Sequence, residues 1–203
     1  MTDLRDLFGD IDIYLFDQIL KNRFSREMKI LDAGCGGGRN LVYFLRNGYQ
    51  VFAVDQNTEA IEQIRHFAQI VSPNLPPENF QTSAVEKMLF HNESFDAVIS
   101  NAVLHFAEDK RHFDKMLGEM WRVLKPDGLF FARLASSIGI ENLIEPVGSG
   151  RYLLPDGSER FLVDQELLDS MTNQLGGVWI EPLKTTNVQN LRSMTTWVLR
   201  KSS

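Results

Sequence analysis

The stretch Lys29-Ile-Leu-Asp-Ala-Gly-Cys-Gly-Gly-Gly-Arg39 constrains this chain more than any other. Ile30, Leu31 and Ala33 form a short apolar run of the kind that makes a buried strand. Gly34, Gly36, Gly37 and Gly38 follow, a turn in which no Cβ keeps the backbone from bending sharply or approaching a ligand. Leu41, Phe44 and Leu45 then recur at helical spacing. A second apolar run, Val51 to Val54, ends in Asp55, about twenty residues beyond the first glycine. Strand, glycine turn, helix and acid-tipped strand in this order are the layout of a nucleotide-binding β-α-β unit. Its acid is placed to accept hydrogen bonds from ribose hydroxyls.

Two ligand classes use such a turn, and neighbouring residues choose between them. The dinucleotide pattern puts glycines first, third and sixth in the turn. Counted from Gly34, the sixth residue is Arg39. Asp32, just before the turn, is a poor neighbour for a pyrophosphate and a good one for a cation such as an ammonium. Asp32-Ala-Gly34-Cys-Gly36-Gly-Gly38 resembles the acidic-x-Gly-x-Gly-x-Gly motif of class I S-adenosylmethionine-dependent methyltransferases, and Asp55 matches that family's ribose-binding acid. Ser94-Phe-Asp-Ala-Val-Ile-Ser-Asn101 with the following Ala-Val-Leu-His-Phe106 resembles the family's fourth strand and the segment after it. Trp121-Arg-Val-Leu-Lys-Pro-Asp-Gly-Leu-Phe130 resembles its next helix, turn and strand. Phe8 to Asp17 and Met194 to Arg200 are similar to small methyltransferases of the tellurite-resistance type, a likeness that favours a small or chalcogen-containing acceptor.

The resemblance implies an α/β fold: a single Rossmann-like, doubly wound domain with a seven-stranded, mostly parallel sheet, an antiparallel last strand, and helices on both faces. It would occupy residues 28–203, after a helical extension at 1–27 and with an insertion over the cleft at 136–160. The implied cofactor is S-adenosylmethionine, leaving S-adenosylhomocysteine as product. Asp32 would stand near its amino group, Gly34, Cys35, Gly36 and Gly38 along the methionine, and Asp55 and Gln56 at the ribose. Ala84 and Val85 would border the adenine, and Asn101 through Phe106 would face the methionine or the acceptor. Ala84 departs from the family, which usually carries an aspartate there for the adenine amino group, so this contact falls to backbone near Ala84 and Val85 or to Glu86. Tyr14 and His105, with the loop after the fifth strand, would wall the methyl pocket. His105 is the candidate base and Arg133 the candidate holder of an anionic acceptor. Methyl transfer from a sulfonium needs alignment more than acid–base help, so the lack of an obvious nucleophile is no objection. Cys35 reads as a small filler beside the ligand. A non-catalytic module of the same fold and an NAD-linked dehydrogenase are the competing readings. The first draws on Ala84, and the second meets Arg39 at the sixth turn position.

Composition agrees with small-molecule chemistry. The 203 residues suffice for one α/β domain, 43% are hydrophobic, and the net charge of −6 argues against a nucleic-acid acceptor. No apolar run is long enough to span a bilayer, and Met-Thr-Asp-Leu-Arg-Asp at the amino terminus is too polar for a secretory signal. A single cysteine excludes an internal disulfide and suits a reducing, cytoplasmic setting. No metal-ligand spacing is visible, and the oligomeric state is not legible.

The remaining elements follow from periodicity. Helices are expected over about 10–21, 58–70, 113–124 and 164–175, with Thr58 and Asp164 as caps. Strands are expected at 79–83, 94–101, 129–134, 178–185 and 194–200, with a turn at Lys125-Pro-Asp-Gly128. Residues 136–160, punctuated by glycine and proline, read as loop or short helix, with Glu145, Arg151, Tyr152, Asp156 and Arg160 as candidate acceptor contacts. His66, His91 and His112 read as solvated.

Overall fold

A computed structural model of the protein describes residues 3–203. Met1 and Thr2, part of the expected extension and of the polar amino terminus, lie outside the described residues. Strands β1 (Lys29–Ala33), β2 (Gln50–Asp55), β3 (Phe80–Thr82), β4 (Phe95–Asn101) and β5 (Leu124–Ala135) are parallel neighbours. Beyond β5 the sheet continues antiparallel through β11 (Arg192–Lys201) and β10 (Lys184–Val188), giving the order β10-β11-β5-β4-β1-β2-β3. A short strand β9 (Gly177–Trp179) pairs with the far end of β11.

Alternate residues of the central strands feed two apolar cores, as a parallel sheet covered on both faces requires. Leu31, Val98, Phe130 and Trp197 pack with helices α5 (Lys110–Val123) and α6 (Gln165–Gln174) on one face. Ile30, Val51, Ala53, Ile99 and Phe131 pack on the other with α2 (Ile13–Leu20), α3 (Val42–Arg46) and α4 (Thr58–Val71). Trp197 is fully buried, and its indole N–H donates to Thr172 Oγ1 at 3.1 Å, satisfying the ring's polar atom inside the core.

The amino-terminal segment adds a short helix α1 (Leu4–Phe8) that periodicity did not anticipate, followed by α2. Charge fastens this segment to the sheet edge. Glu181 accepts from Lys21 at 2.7 Å and Arg23 at 2.5 Å and stands 2.9 Å from Lys184. Asp12 does more. Its Oδ1 accepts from Tyr14 N to cap α2, its own N–H donates to Asn40 Oδ1, and its Oδ2 accepts from Arg133 Nη1 at 2.9 Å. One buried residue thus joins the extension to the glycine-turn region through its backbone and to β5 through its carboxylate.

Several local expectations differ from the structure. The cap of α4 is Asn57 and not Thr58. Its side-chain oxygen accepts from Glu59 N and Ala60 N, two amides without helical partners. Asn57→Ala is expected to cost about 1 kcal/mol in a denaturant-unfolding series. Helix α5 starts earlier than expected because Asp109 Oδ1 accepts from His112 N. The stretch Lys125 to Gly128 is not a free turn between helix and strand. Leu124 already pairs with Phe95, and the next pair is Ala97 with Leu129, so the four residues form a bulge inside β5, with Asp127 at φ 61°. The single strand expected at 178–185 is broken into β9 and β10 around Pro182, which has no N–H to give a ladder. Residues 136–160 are not merely loop. Strands β6 (Glu145–Gly148), β7 (Arg151–Leu153) and β8 (Glu159–Phe161) form a separate antiparallel sheet.

Candidate functional site

Strand order reverses between β1 and β4, so the chain leaving β1 and the chain leaving β4 turn to opposite faces and open a crevice at their carboxyl ends. A cavity of about 550 Å³ occupies it. The glycine turn, Asp55 and Gln56 after β2, Ala84 to Glu86 after β3, and Asn101 to Val103 after β4 form its walls.

The glycines divide their work. A Cβ on Gly34 would meet Val103 Cγ2 at 2.4 Å, and one on Gly38 would meet Ile64 Cδ1 at 2.2 Å, so these two residues let the turn pack against its own neighbours. Gly36 is different. It has φ +50°, and a Cβ there would meet nothing within 4 Å. The turn therefore presents bare backbone to open space at that point, which is what close approach of a ligand needs. Asp55 is pinned beside it: Oδ2 accepts from Gly36 N at 2.8 Å and Oδ1 from Asn57 N at 2.9 Å. Each oxygen keeps lone-pair capacity for a further donor.

Asp32 does not line this cavity. It is buried, and both carboxylate oxygens lack a hydrogen-bond partner among the described residues. Burial pushes its pKa up to about 7, with the Asp55 charge adding to the rise and Arg39 opposing it. A cation reaching this carboxylate would satisfy the unpartnered oxygens. Cys35 lines the cavity, and burial, with Asp32 and Asp55 behind it, raises its thiol well above the ordinary range. It stays protonated at neutral pH, so it is no nucleophile.

Of the residues read from the sequence, Gly34, Cys35, Gly36, Asp55, Gln56, Ala84, Val85 and Asn101 come together around the cavity. Gly38 does not line it and packs against Ile64. The methyl-pocket candidates fall elsewhere. Tyr14 lines neither this cavity nor its neighbour, because its hydroxyl is 2.5 Å from Thr186 Oγ1 and its ring lies 5.2 Å from the Arg133 guanidinium. His105 and Arg133 instead line a second cavity of about 310 Å³, which shares Arg39 and Ala102 with the first. His105 Nδ1 accepts from Ala135 N at 3.1 Å, and burial, helped by Arg160 and Arg133, pushes its pKa down to about 4. A base that weak, with one nitrogen engaged, is poorly suited to take a proton near neutral pH. Arg133, the candidate holder of an anionic acceptor, is paired with Asp12.

Sequence reading gave Arg39 and His112 no place in the site, yet both stand in the first cavity's wall; Val103 and Phe106 also line it, within the 101–106 stretch expected to face the methionine or the acceptor. His112 is half-buried, with Nδ1 accepting from Glu108 N and Nε2 3.8 Å from Glu86, and is not a solvated helix residue. Its place in the first turn of α5, directly after the Asp109 cap, was the signal that could have found it. Among the described residues no group of three or more His, Cys, Asp or Glu could hold a metal ion, and no helix is long and apolar enough to cross a membrane.

A doubly wound sheet with a glycine turn after β1 and an acid at the end of β2 defines a nucleotide-binding α/β domain. The methyltransferase domain family matches residues 31–132, and the chain belongs to that family. Among its relatives, the tRNA 5-carboxymethoxyuridine methyltransferase of Escherichia coli (strain K12) is 27% identical over 127 residues, 61% of this chain and 46% of that protein. The mitochondrial ubiquinone biosynthesis O-methyltransferase of Bos taurus is 27% identical over 175 residues, 75% of this chain and 46% of that protein. The chain thus spans about half the length of these curated relatives. A crystal structure of Burkholderia thailandensis 1,6-didemethyltoxoflavin-N1-methyltransferase with bound 1,6-didemethyltoxoflavin and S-adenosylhomocysteine shares the fold. Its TM-score is 0.71 at 21% identity, over 99% of this chain and 82% of that one.

Proposed function

We propose that this chain transfers a methyl group from S-adenosylmethionine to a small-molecule acceptor. The observation that carries the reading is the pairing of Asp55 with the Gly36 amide in the wall of the first cavity, an acid fixed where a nucleoside's ribose would meet bare backbone. The residues present fit the cofactor on two further counts. Gly36 leaves space that no side chain fills, and Asp32 holds two buried oxygens with nothing to satisfy them. When bound, S-adenosylmethionine supplies an electrophilic methyl on a sulfonium sulfur; the acceptor's lone pair forms the new bond to carbon and the old bond's electron pair stays on sulfur.

The chain's own residues bind and orient. Asp55 would accept from the ribose hydroxyls, Asp32 would face the ammonium, and backbone at Ala84 and Val85, with Glu86, would border the adenine. Alignment is the main contribution, and in well-oriented reactions it supplies up to about 7–11 kcal/mol. The small acceptor is favoured over a polynucleotide by the net charge of −6, since polynucleotide binding rests on neutralising phosphates.

Calorimetric titration with S-adenosylmethionine, S-adenosylhomocysteine and NAD tests the reading. Binding of both sulfur ligands without NAD supports it; NAD alone would replace it. The same titration carries a pH dependence. Asp32 is half protonated near pH 7 in the free protein, and an ammonium beside it favours the ionised form, so binding should release a proton. Affinity should therefore rise up to about pH 7 and level off above it, losing about tenfold for each pH unit below. Asp32→Asn should remove this slope, and a flat profile in the unaltered protein would take Asp32 away from the ligand.

A further inference from the structure

The second cavity is walled by four arginines in a chain whose net charge is −6. They come from four separate places: Arg39 after the glycine turn, Arg133 on β5, Arg160 on β8 and Arg192 at the start of β11. No single helix or strand would gather them, so the concentration is made by the fold. Their charges are thinly compensated. Arg133 pairs with Asp12 through Nη1, yet its Nε is buried without a partner. Arg160 donates to the Glu159 carbonyl and lies 4.9 Å from the Phe106 ring, with no ion pair among the described residues. Arg192 has neither a side-chain hydrogen bond nor an ion pair among the described residues. The single carboxylate in the wall, Asp156, is turned onto Ser158, accepting from its N at 3.0 Å and its Oγ at 2.6 Å. It sits close enough to Arg160 and Arg192 to feel both charges, so it offsets part of the excess and leaves the rest.

The cavity also adjoins the first. Arg39 and Ala102 belong to both walls. Ala102 has φ +61°, a left-handed conformation that costs an alanine about 1–2 kcal/mol. A small, strained residue is held at the junction of the two spaces, and such strain persists where the surroundings impose it, commonly at functional sites.

We infer that the second cavity binds the anionic end of the methyl acceptor, a carboxylate or phosphate group held by Arg133, Arg160 and Arg192, with the acceptor's nucleophilic atom reaching past Ala102 into the first cavity. This rests on the first cavity being the cofactor site. Guanidinium groups suit the assignment because their planar forks match carboxylate and phosphate oxygens and stay charged at every working pH. The separate sheet of β6, β7 and β8 gains a purpose from it, since the turn between β7 and β8 carries Asp156 and Ser158 to this wall and β8 carries Arg160.

The test uses three probes sharing a benzene ring: benzoate, phenyl phosphate and benzamide. Each is titrated calorimetrically into the protein with and without S-adenosylhomocysteine. At least one anion should bind, with benzamide weaker by at least about tenfold, a difference of about 1.4 kcal/mol. The preferred anion separates a carboxylate from a phosphate source. Arg192→Gln, at an exposed and unpaired side chain, and Arg160→Gln should each weaken the anion severalfold while leaving S-adenosylhomocysteine affinity unchanged. Equal binding of benzamide, undiminished anion binding in both variants, or no heat from either anion at millimolar concentration would overturn the inference. The S-adenosylhomocysteine arm keeps the two readings apart. Anion binding by a protein that does not bind S-adenosylhomocysteine preserves the arginine site and removes the cofactor assignment; S-adenosylhomocysteine binding with no anion binding removes only the arginine site.

Discussion

Asp55→Ala should weaken S-adenosylhomocysteine binding by about a hundredfold. Two charge-assisted hydrogen bonds to ribose hydroxyls, each worth about 1.5–3 kcal/mol, would be lost, and the low end of their sum, about 3 kcal/mol, already corresponds to slightly more than that factor. The same change strips the acceptor from Gly36 N and from Asn57 N, so the turn itself loses its anchor. Asp55→Asn separates the two effects. An amide keeps one accepting oxygen and the side chain's shape, so it should hold the turn partly in place while recovering little of the ligand affinity. Unchanged affinity in Asp55→Ala would remove the ribose assignment altogether. A loss that Asp55→Asn restores in full would make the residue a turn anchor and nothing more.

Gly38→Ala should destabilise the fold by about 3 kcal/mol, read from denaturant unfolding. The residue sits at φ +78°, where an alanine pays a backbone penalty, and its Cβ would lie 2.2 Å from Ile64 Cδ1 and 2.8 Å from Ile64 Cγ1. Ile64 is buried on α4, so it has little room to yield. Making Ile64→Ala in the same chain should recover the steric part and leave the backbone part. The double variant should therefore be more stable than the sum of the single changes by about 1 kcal/mol or more. Strict additivity would show that the contact between the glycine turn and α4 is looser than these distances state.

The glycine turn and the acid after β2 were legible because their chemistry is local. Close packing and a bare backbone surface need glycine at fixed spacings, and a strand end fixes where the acid stands. The doubly wound sheet was legible for a related reason, since apolar runs buried on both faces alternate with helical periods. What stayed hidden depends on long-range partners. Asp12 and Arg133 are 121 residues apart in sequence, and nothing near either one announces the pair. His105 read as a base because a histidine near a strand end invites that role. Its burial and the nearby Arg160 and Arg133 charges, which make it a weak one, come from β5, β8 and the surrounding fold. The sheet of β6 to β8 was obscured by its own turns. Gly148, Gly150 and Gly157 look like interruptions, yet they are the bends and ends that very short antiparallel strands require. Arg39 counted against a dinucleotide in the sequence, and it stands in the folded chain between two cavities.

A crystal structure of the protein grown with S-adenosylhomocysteine would bear most directly on the site. The expected density has the ribose on Asp55, the adenine against Ala84 to Glu86 and the amino group toward Asp32. Nucleoside density in the arginine-walled cavity, or a nucleoside in the first cavity that leaves Asp55 untouched, would contradict the assignment.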